Sequence, residues 1–125
     1  MTPFTIDSTD PTPIYAQLER RIRGAIATGK LPAGAQLPTV RQMAVDLAVN
    51  ANTVAKVYAQ LERERILETR RGVGTFVSEV TPPAAPRADR EREIRKLARR
   101  YIDEGAALGY TINELVKQLN KEERK

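Results

Sequence analysis

The chain has 125 residues, with 21 Lys and Arg against 16 Asp and Glu, a formal charge of +5 and a pI near 9.8. It contains no cysteine and no histidine, which excludes a disulfide framework and a cysteine-based zinc site and removes the commonest general base and metal ligand. Hydrophobic residues at 41% with aromatics at only 5% allow a small core, and a small core makes oligomerisation a favourable source of further burial.

Residues 1–12 are polar, carry Pro3 and Pro11, and read as an N-terminal arm or extended segment. Asp10 or Thr12 could cap the helix that follows, with Pro13 at an early helical position. From Pro13 to about Thr28, Ile14, Leu18, Ile22, Ala25 and Ile26 recur at helical spacing, and Gly29 supplies a stop. Residues 29–38, GKLPAGAQLP, hold two Gly and two Pro and form a loop of fixed shape. Thr39 and Gln42 make a capping box for a short second helix whose buried face is Val40, Met43, Ala44, Leu47 and Ala48. After the turn Val49-Asn50-Ala51, Asn50 can cap a third helix to about Glu64, with Val54, Val57, Tyr58 and Leu61 inward. Two short helices joined by a turn of about three or four residues form a helix-turn-helix. The β-prone runs Ile66–Arg70 and Thr75–Ser78 flank Arg71-Gly72-Val73-Gly74, the pattern of a hairpin wing.

Residues 81–87, opening TPPAAP, form a Pro-rich linker. Beyond it, about Ala88 to Ala107 reads as helix, with Ile94, Leu97, Ala98, Tyr101 and Ile102 on one face. Gly105 and Gly109 weaken or end it. Thr111 and Glu114 make a second capping box for a last helix striped by Ile112, Leu115, Val116 and Leu119, with Lys121–Lys125 expected to fray. The predicted architecture is mainly α with a small β-hairpin. A winged helix-turn-helix domain spans residues 13–80, and a two-helix tail spans 88–125. Two short helices bury little alone, so Ile94, Leu97, Tyr101, Ile102, Ile112, Leu115, Val116 and Leu119 are expected to pair two subunits.

The basic excess does not by itself locate a nucleic-acid surface. Residues 1–80 hold 10 basic and 8 acidic groups, and residues 81–125 hold 11 and 8. Pattern is more informative. Opposite its apolar face the third helix presents Asn52, Thr53 and Lys56, and further along Gln60. Asn and Thr can bond base edges and Lys can neutralise a phosphate. Asn50 and Thr53 are equally suited to capping free N–H groups. Arg41 stands in the first turn of the second helix, where a cation opposes the helix dipole unless an anion is near. At the wing, Arg70 and Arg71 lie beside Gly72 and Gly74. Glycine permits close backbone approach, and Arg suits a narrow minor groove. Arg20, Arg21 and Arg23 read as a solvated face of the first helix, and the charges of residues 87–100 as a surface of i,i+4 pairs.

Residues 13–78 resemble the winged-helix domain of GntR-type bacterial regulators through PIYAQL, GKLPAGAQLPTVRQMA, VNANTVAKVYAQLE and RRGVGTFV. The short tail and the Asn-x-Asn-Thr-Val wording resemble the YtrA subgroup. The resemblance implies a homodimer on an inverted-repeat operator, usually a repressor. It also implies DNA contacts at Arg41, Asn50, Asn52 and Thr53, with Arg71 and Gly72 near the minor groove. Many members carry Arg where this chain has Ala51 and Ala55, a departure that implies a different operator.

The expected function is therefore sequence-specific binding of double-stranded operator DNA as a homodimer. No apolar run approaches the roughly 18–20 residues of a membrane span, and the N-terminus lacks the basic and apolar regions of a secretory signal, so the expected location is the cytoplasm. No cofactor or metal is expected, a small-molecule effector is left open (a ligand between the tail and the winged helix, or none), and no paired acid and base point to an enzyme. The competing reading is a winged-helix module that docks a protein. Protein docking calls for exposed aromatic or aliphatic anchors on the third helix, which its Asn, Thr, Lys and Gln surface does not offer.

Overall fold

The computed structural model describes residues 4–80 and 85–123. It falls into two compact units, Met1–Pro82 and Pro83–Lys125. The first holds α1 (Ile14–Ala27), α2 (Val40–Leu47), α3 (Ala51–Arg63) and the hairpin β1 (Leu67–Arg70) and β2 (Gly74–Val77). The second holds α4 (Arg87–Ala107) and α5 (Ile112–Glu123).

The segment expected as a polar arm is tied to the domain. Residues 1–3, including Pro3, lie outside the described residues, but Phe4 is buried in the core and Ile6 packs against it. Gln17 of α1 fastens the chain that precedes the helix. Its Oε1 accepts the Asp7 N–H at 2.9 Å, and its Nε2 donates to the carbonyls of Asp7 and Thr12 at 2.9 Å each. Neither Asp10 nor Thr12 caps α1. Asp10 Oδ1 instead accepts the Thr12 N–H at 2.8 Å, turning the chain one residue early, and Pro13 takes the N-cap without a side-chain bond. At the other end Gly29 has φ +82°, the left-handed conformation that glycine adopts without steric cost.

Helix α2 begins on half of the expected capping box. The Gln42 N–H donates to Thr39 Oγ1 at 3.0 Å, but the Gln42 amide turns away to Asp46 at 2.8 Å. Ala48, expected on the buried face, is the exposed C-cap with φ +56°. It bends the chain sharply into α3. There the Asn50 side chain accepts the Asn52 N–H at 2.8 Å. The α3 core face is as its spacing predicts: Val54, Val57, Tyr58 and Leu61 are all buried. They meet Leu18 and Ile22 of α1 and Met43 and Ala44 of α2 in one apolar cluster. Tyr58 places its ring in that core and donates its hydroxyl to the Pro38 carbonyl at 2.7 Å, so the loop before α2 is pinned to α3.

The wing is antiparallel, with Leu67 opposite Val77 and Arg70 opposite Gly74. The loop of residues 29–38 completes it. Leu37 N–H donates to the Thr75 carbonyl and Val77 N–H to the Ala35 carbonyl, both at 2.8 Å, and Gln36 bridges to Phe76. A third edge is thus laid on β2 by residues that read only as loop. Leu37, Leu67 and Val77 bury their side chains in the core, which locks the hairpin to the helices.

In the second unit, α5 opens on a complete capping box. Thr111 Oγ1 accepts the Glu114 N–H at 3.2 Å while Glu114 Oε1 accepts the Thr111 N–H at 3.0 Å. The Thr111 N–H first, and then the Thr111 hydroxyl donating to the same oxygen at 3.1 Å, hold the Glu114 carboxyl below its ordinary range. Gly105 does not end α4 but lies inside it and is buried. A Cβ there would stand 2.5 Å from Leu115 Cδ2, so the glycine admits Leu115 against the helix. Tyr101 donates its hydroxyl to the Leu115 carbonyl at 3.0 Å. Helix α5 also runs on through Lys121 to Glu123, where fraying was expected; Arg124 and Lys125 lie outside the described residues. Along α4 the expected i,i+4 pairing is met once, by Arg87–Glu91 at 2.9 Å, while Arg92–Asp89 at 3.3 Å and Lys96–Glu93 at 3.4 Å are i,i+3 pairs.

Candidate nucleic-acid interface

Helix α3 projects its charged and polar surface away from the core because its buried residues occupy one face only. Ala51, Asn52, Ala55 and Lys56 are all exposed, and Thr53 is half-buried. Asn50 spends its side-chain oxygen on the Asn52 N–H, so its capping role is realised. The Asn52 amide, the Thr53 hydroxyl and the Lys56 ammonium have no intramolecular partner among the described residues. Gln60 does not share that freedom: its amide donates to Glu64 at 3.0 Å and accepts from Arg63 at 2.7 Å. Arg41 is exposed in the first turn of α2 and likewise forms no ion pair among the described residues.

The two wing arginines differ. Arg70 is held by Glu68 at 3.0 Å and lies 4.2 Å over the Phe76 ring. Arg71 is exposed and unpaired among the described residues, at the second position of a turn closed by the Val73 N–H donating to the Arg70 carbonyl at 2.9 Å. Gly72 follows with φ +77°, the value a type II turn demands at its third residue. Gly74 has a reason within the wing itself: φ is +144°, and an added Cβ would stand 2.6 Å from Gln36 Nε2.

Arg23 is not a solvated bystander on α1. Its guanidinium donates to Glu19 at 2.7 Å and to Glu64 at 2.6 Å, tying α1 to the C-cap of α3. That guanidinium, helped by the Gln60 amide, holds the Glu64 carboxyl below its ordinary range. Tyr15, which falls off the apolar stripe of α1, stands at a cleft of about 640 Å³ shared with Thr53, Lys56 and Gln60. Sequence spacing alone missed it, because adjacency of α1 and α3 is a tertiary fact.

The pattern of the family described as bacterial regulatory proteins, gntR family, matches residues 14–77, just over half of the chain. The chain belongs to that family. This GntR-family chain is 37% identical to the HTH-type transcriptional regulator Rv1152 of Mycobacterium tuberculosis over 114 residues, 91% of this chain and 88% of that protein. It is 45% identical to the HTH-type transcriptional repressor YtrA of Bacillus subtilis over 74 residues, 59% of this chain and 57% of YtrA. Among solved structures it is similar to YtrA from Sulfolobus acidocaldarius, a GntR-family transcription factor, with TM-score 0.55, 30% identity and 94% of each chain covered. It is also similar to the AraR DNA-binding domain in complex with operator ORE1, with TM-score 0.51 and 29% identity over 58% of this chain and 89% of that one.

The GntR-family chain is therefore a transcriptional regulator with a DNA-binding winged-helix domain, and not an enzyme. The expected fold, a winged helix followed by a helical tail, is the one observed. No helix among the described residues is long and apolar enough to cross a membrane.

Proposed function

We propose that the protein is a cytoplasmic homodimeric repressor that binds an inverted-repeat operator through α3 and the wing. The observation that carries this reading is the set of unpaired donors on the helix-turn-helix and wing. Among the described residues Arg41, Asn52, Thr53, Lys56 and Arg71 are left without intramolecular partners, while the neighbouring Arg23, Gln60 and Arg70 are engaged. Helix α3 enters the major groove with Asn52 and Thr53 toward base edges, and Arg41 and Lys56 meet phosphates. Arg71, carried by Gly72, reaches the adjacent minor groove, with Arg70 and Gly74 shaping the wing behind it. Asn50 sets the start of α3 and so aims Asn52.

Dimerisation is assigned to the second unit. Ile94, Leu97, Ile112, Val116 and Leu119 are exposed on α4 and α5, and Tyr101 and Ile102 are half-buried. Leu115 is spent inside its own hairpin against Gly105 and is left out of the seam. Two-fold symmetry then sets the half-sites about one helical turn, ~34–36 Å, or a multiple apart. A site overlapping a promoter would exclude polymerase, which is the repressor role. Selection of bound duplexes from a random pool tests the reading: an inverted repeat should emerge, and binding that never rises above that of random DNA at moderate salt would sink it.

A further inference from the structure

The cleft between α1 and α3 carries more than the reading face. The Arg23 guanidinium engages Glu19 and Glu64, Gln60 engages Glu64, and Arg63 engages Gln60. Arg23 binds both carboxylates and Arg63 lies close enough to act on Glu64, so two cations offset Glu19, in the cleft wall, and Glu64 beside it, while the Gln60 amide is consumed. This leaves the Tyr15 hydroxyl, the Thr53 hydroxyl and the Lys56 ammonium as donors without a partner among the described residues, all lining one cleft of about 640 Å³. Tyr15 is 56% exposed, although a tyrosine ring on a helix beside an apolar core would ordinarily be tucked in. Two hydroxyls, an ammonium and no free carboxylate suit an anion with several acceptor oxygens.

We propose that this cleft seats a phosphodiester of the operator strand running beside α3, held by the Tyr15 hydroxyl and the Lys56 ammonium. The inference rests on the DNA-binding reading above and adds Tyr15 of α1 as a positioning contact. A helix about 10–12 Å across fills a major groove about 12 Å wide, so whatever flanks the helix meets the sugar-phosphate backbone. From α1 both Tyr15 and Glu19 line the cleft with Thr53 and Lys56 of α3; the Glu19 carboxylate is taken by Arg23, which leaves Tyr15 as the α1 donor. A contact to phosphate fixes the depth and register of α3 without reading sequence.

The test uses the full chain and its selected operator, with single methylphosphonate linkages that remove one phosphate charge and acceptor at a time. Tyr15→Phe should weaken binding by about three- to tenfold, equally on all operator variants, and leave the salt slope unchanged because the lost donor is neutral. Lys56→Gln should lower the salt slope by about one. Among the linkages that weaken the wild-type protein, one in each half-site should cost Tyr15→Phe less than it costs the wild type, the shortfall matching the effect of the variant itself and the remainder being the Lys56 contact. Tyr15→Phe removes only an exposed hydroxyl, so its melting temperature should match the wild type. Wild-type affinity in Tyr15→Phe, or independent penalties from the variant and from every linkage, overturns the proposal while leaving the operator reading intact. Failure of the wild-type chain to select any duplex removes both.

Discussion

Asn50 and Asn52 are two residues apart and of one type, yet the structure separates their tasks. Asn50 accepts the Asn52 N–H and starts α3, while the Asn52 side chain is exposed and unpartnered among the described residues. Replacing Asn50 with Ala removes a cap and should cost about 1 kcal/mol of fold stability, visible as a lower melting temperature. Replacing Asn52 with Ala should leave melting unchanged and cost about 1–3 kcal/mol of discrimination at one base pair, visible as a selected half-site that tolerates any base there. The reverse pattern, with Asn52→Ala lowering the melting temperature and leaving selection unchanged, would exchange the two roles. The sequence left this choice open for Asn50, since Asn serves both as a cap and as a base reader. The hydrogen bond shows the cap, made through Oδ1 alone. Gln60 shows the same limit from the other side: its spacing puts it on the polar face of α3, but Arg63 and Glu64 occupy its amide.

At the scale of elements, the helices and the hairpin were legible because their signals are local. Apolar spacing of three and four set the core faces of α1, α2 and α3, and two β-prone runs around a Gly-rich turn set the wing. What escaped was held by distant partners. Phe4 is in the core on a segment that Gln17 fastens at Asp7 and Thr12, and residues 35–37 pair with β2 although Pro and Gly surround them. The Arg23 bridge belongs to this class, because Glu64 lies 41 residues away. It has a pH signature. The Glu64 carboxyl is depressed from its ordinary 4.5 by the Arg23 hydrogen bond and then by Gln60. A carboxylate depressed on folding contributes stability fully above its unfolded value and loses it as pH falls through the folded value. Glu64→Gln should therefore lower the melting temperature at pH 7, and the gap to wild type should close below about pH 4. A gap that stays constant down to pH 2 would mean that the bridge does not couple to folding.

For the whole molecule, the second unit poses the sharpest question about assembly. Its hairpin buries Leu115 and little else, while Ile94 is 61% exposed and Val116 50%. Helices of this length gain most of their stability from packing an apolar face, and here, apart from Leu115, most of that apolar surface is exposed among the described residues. In the proposed dimer a second copy of the chain supplies the partner. The proposed dimer also explains how a small reading surface reaches useful affinity. Joining two winged helices makes the second half-site encounter intramolecular, which raises overall affinity by about 10²–10⁴ without a new DNA contact. Leu97→Asp combined with Val116→Asp places carboxylates on both exposed stripes and leaves Leu115, Gly105 and the first unit untouched. The wild-type chain should sediment as a dimer at micromolar concentration, and the double variant as the 14.0 kDa chain. The variant should keep the wild-type affinity for an isolated half-site and lose most of the gain on the full inverted repeat. A wild-type chain that already sediments as a monomer would remove the dimer. A monomeric variant that still binds the full repeat as tightly would show instead that the two half-sites are read independently.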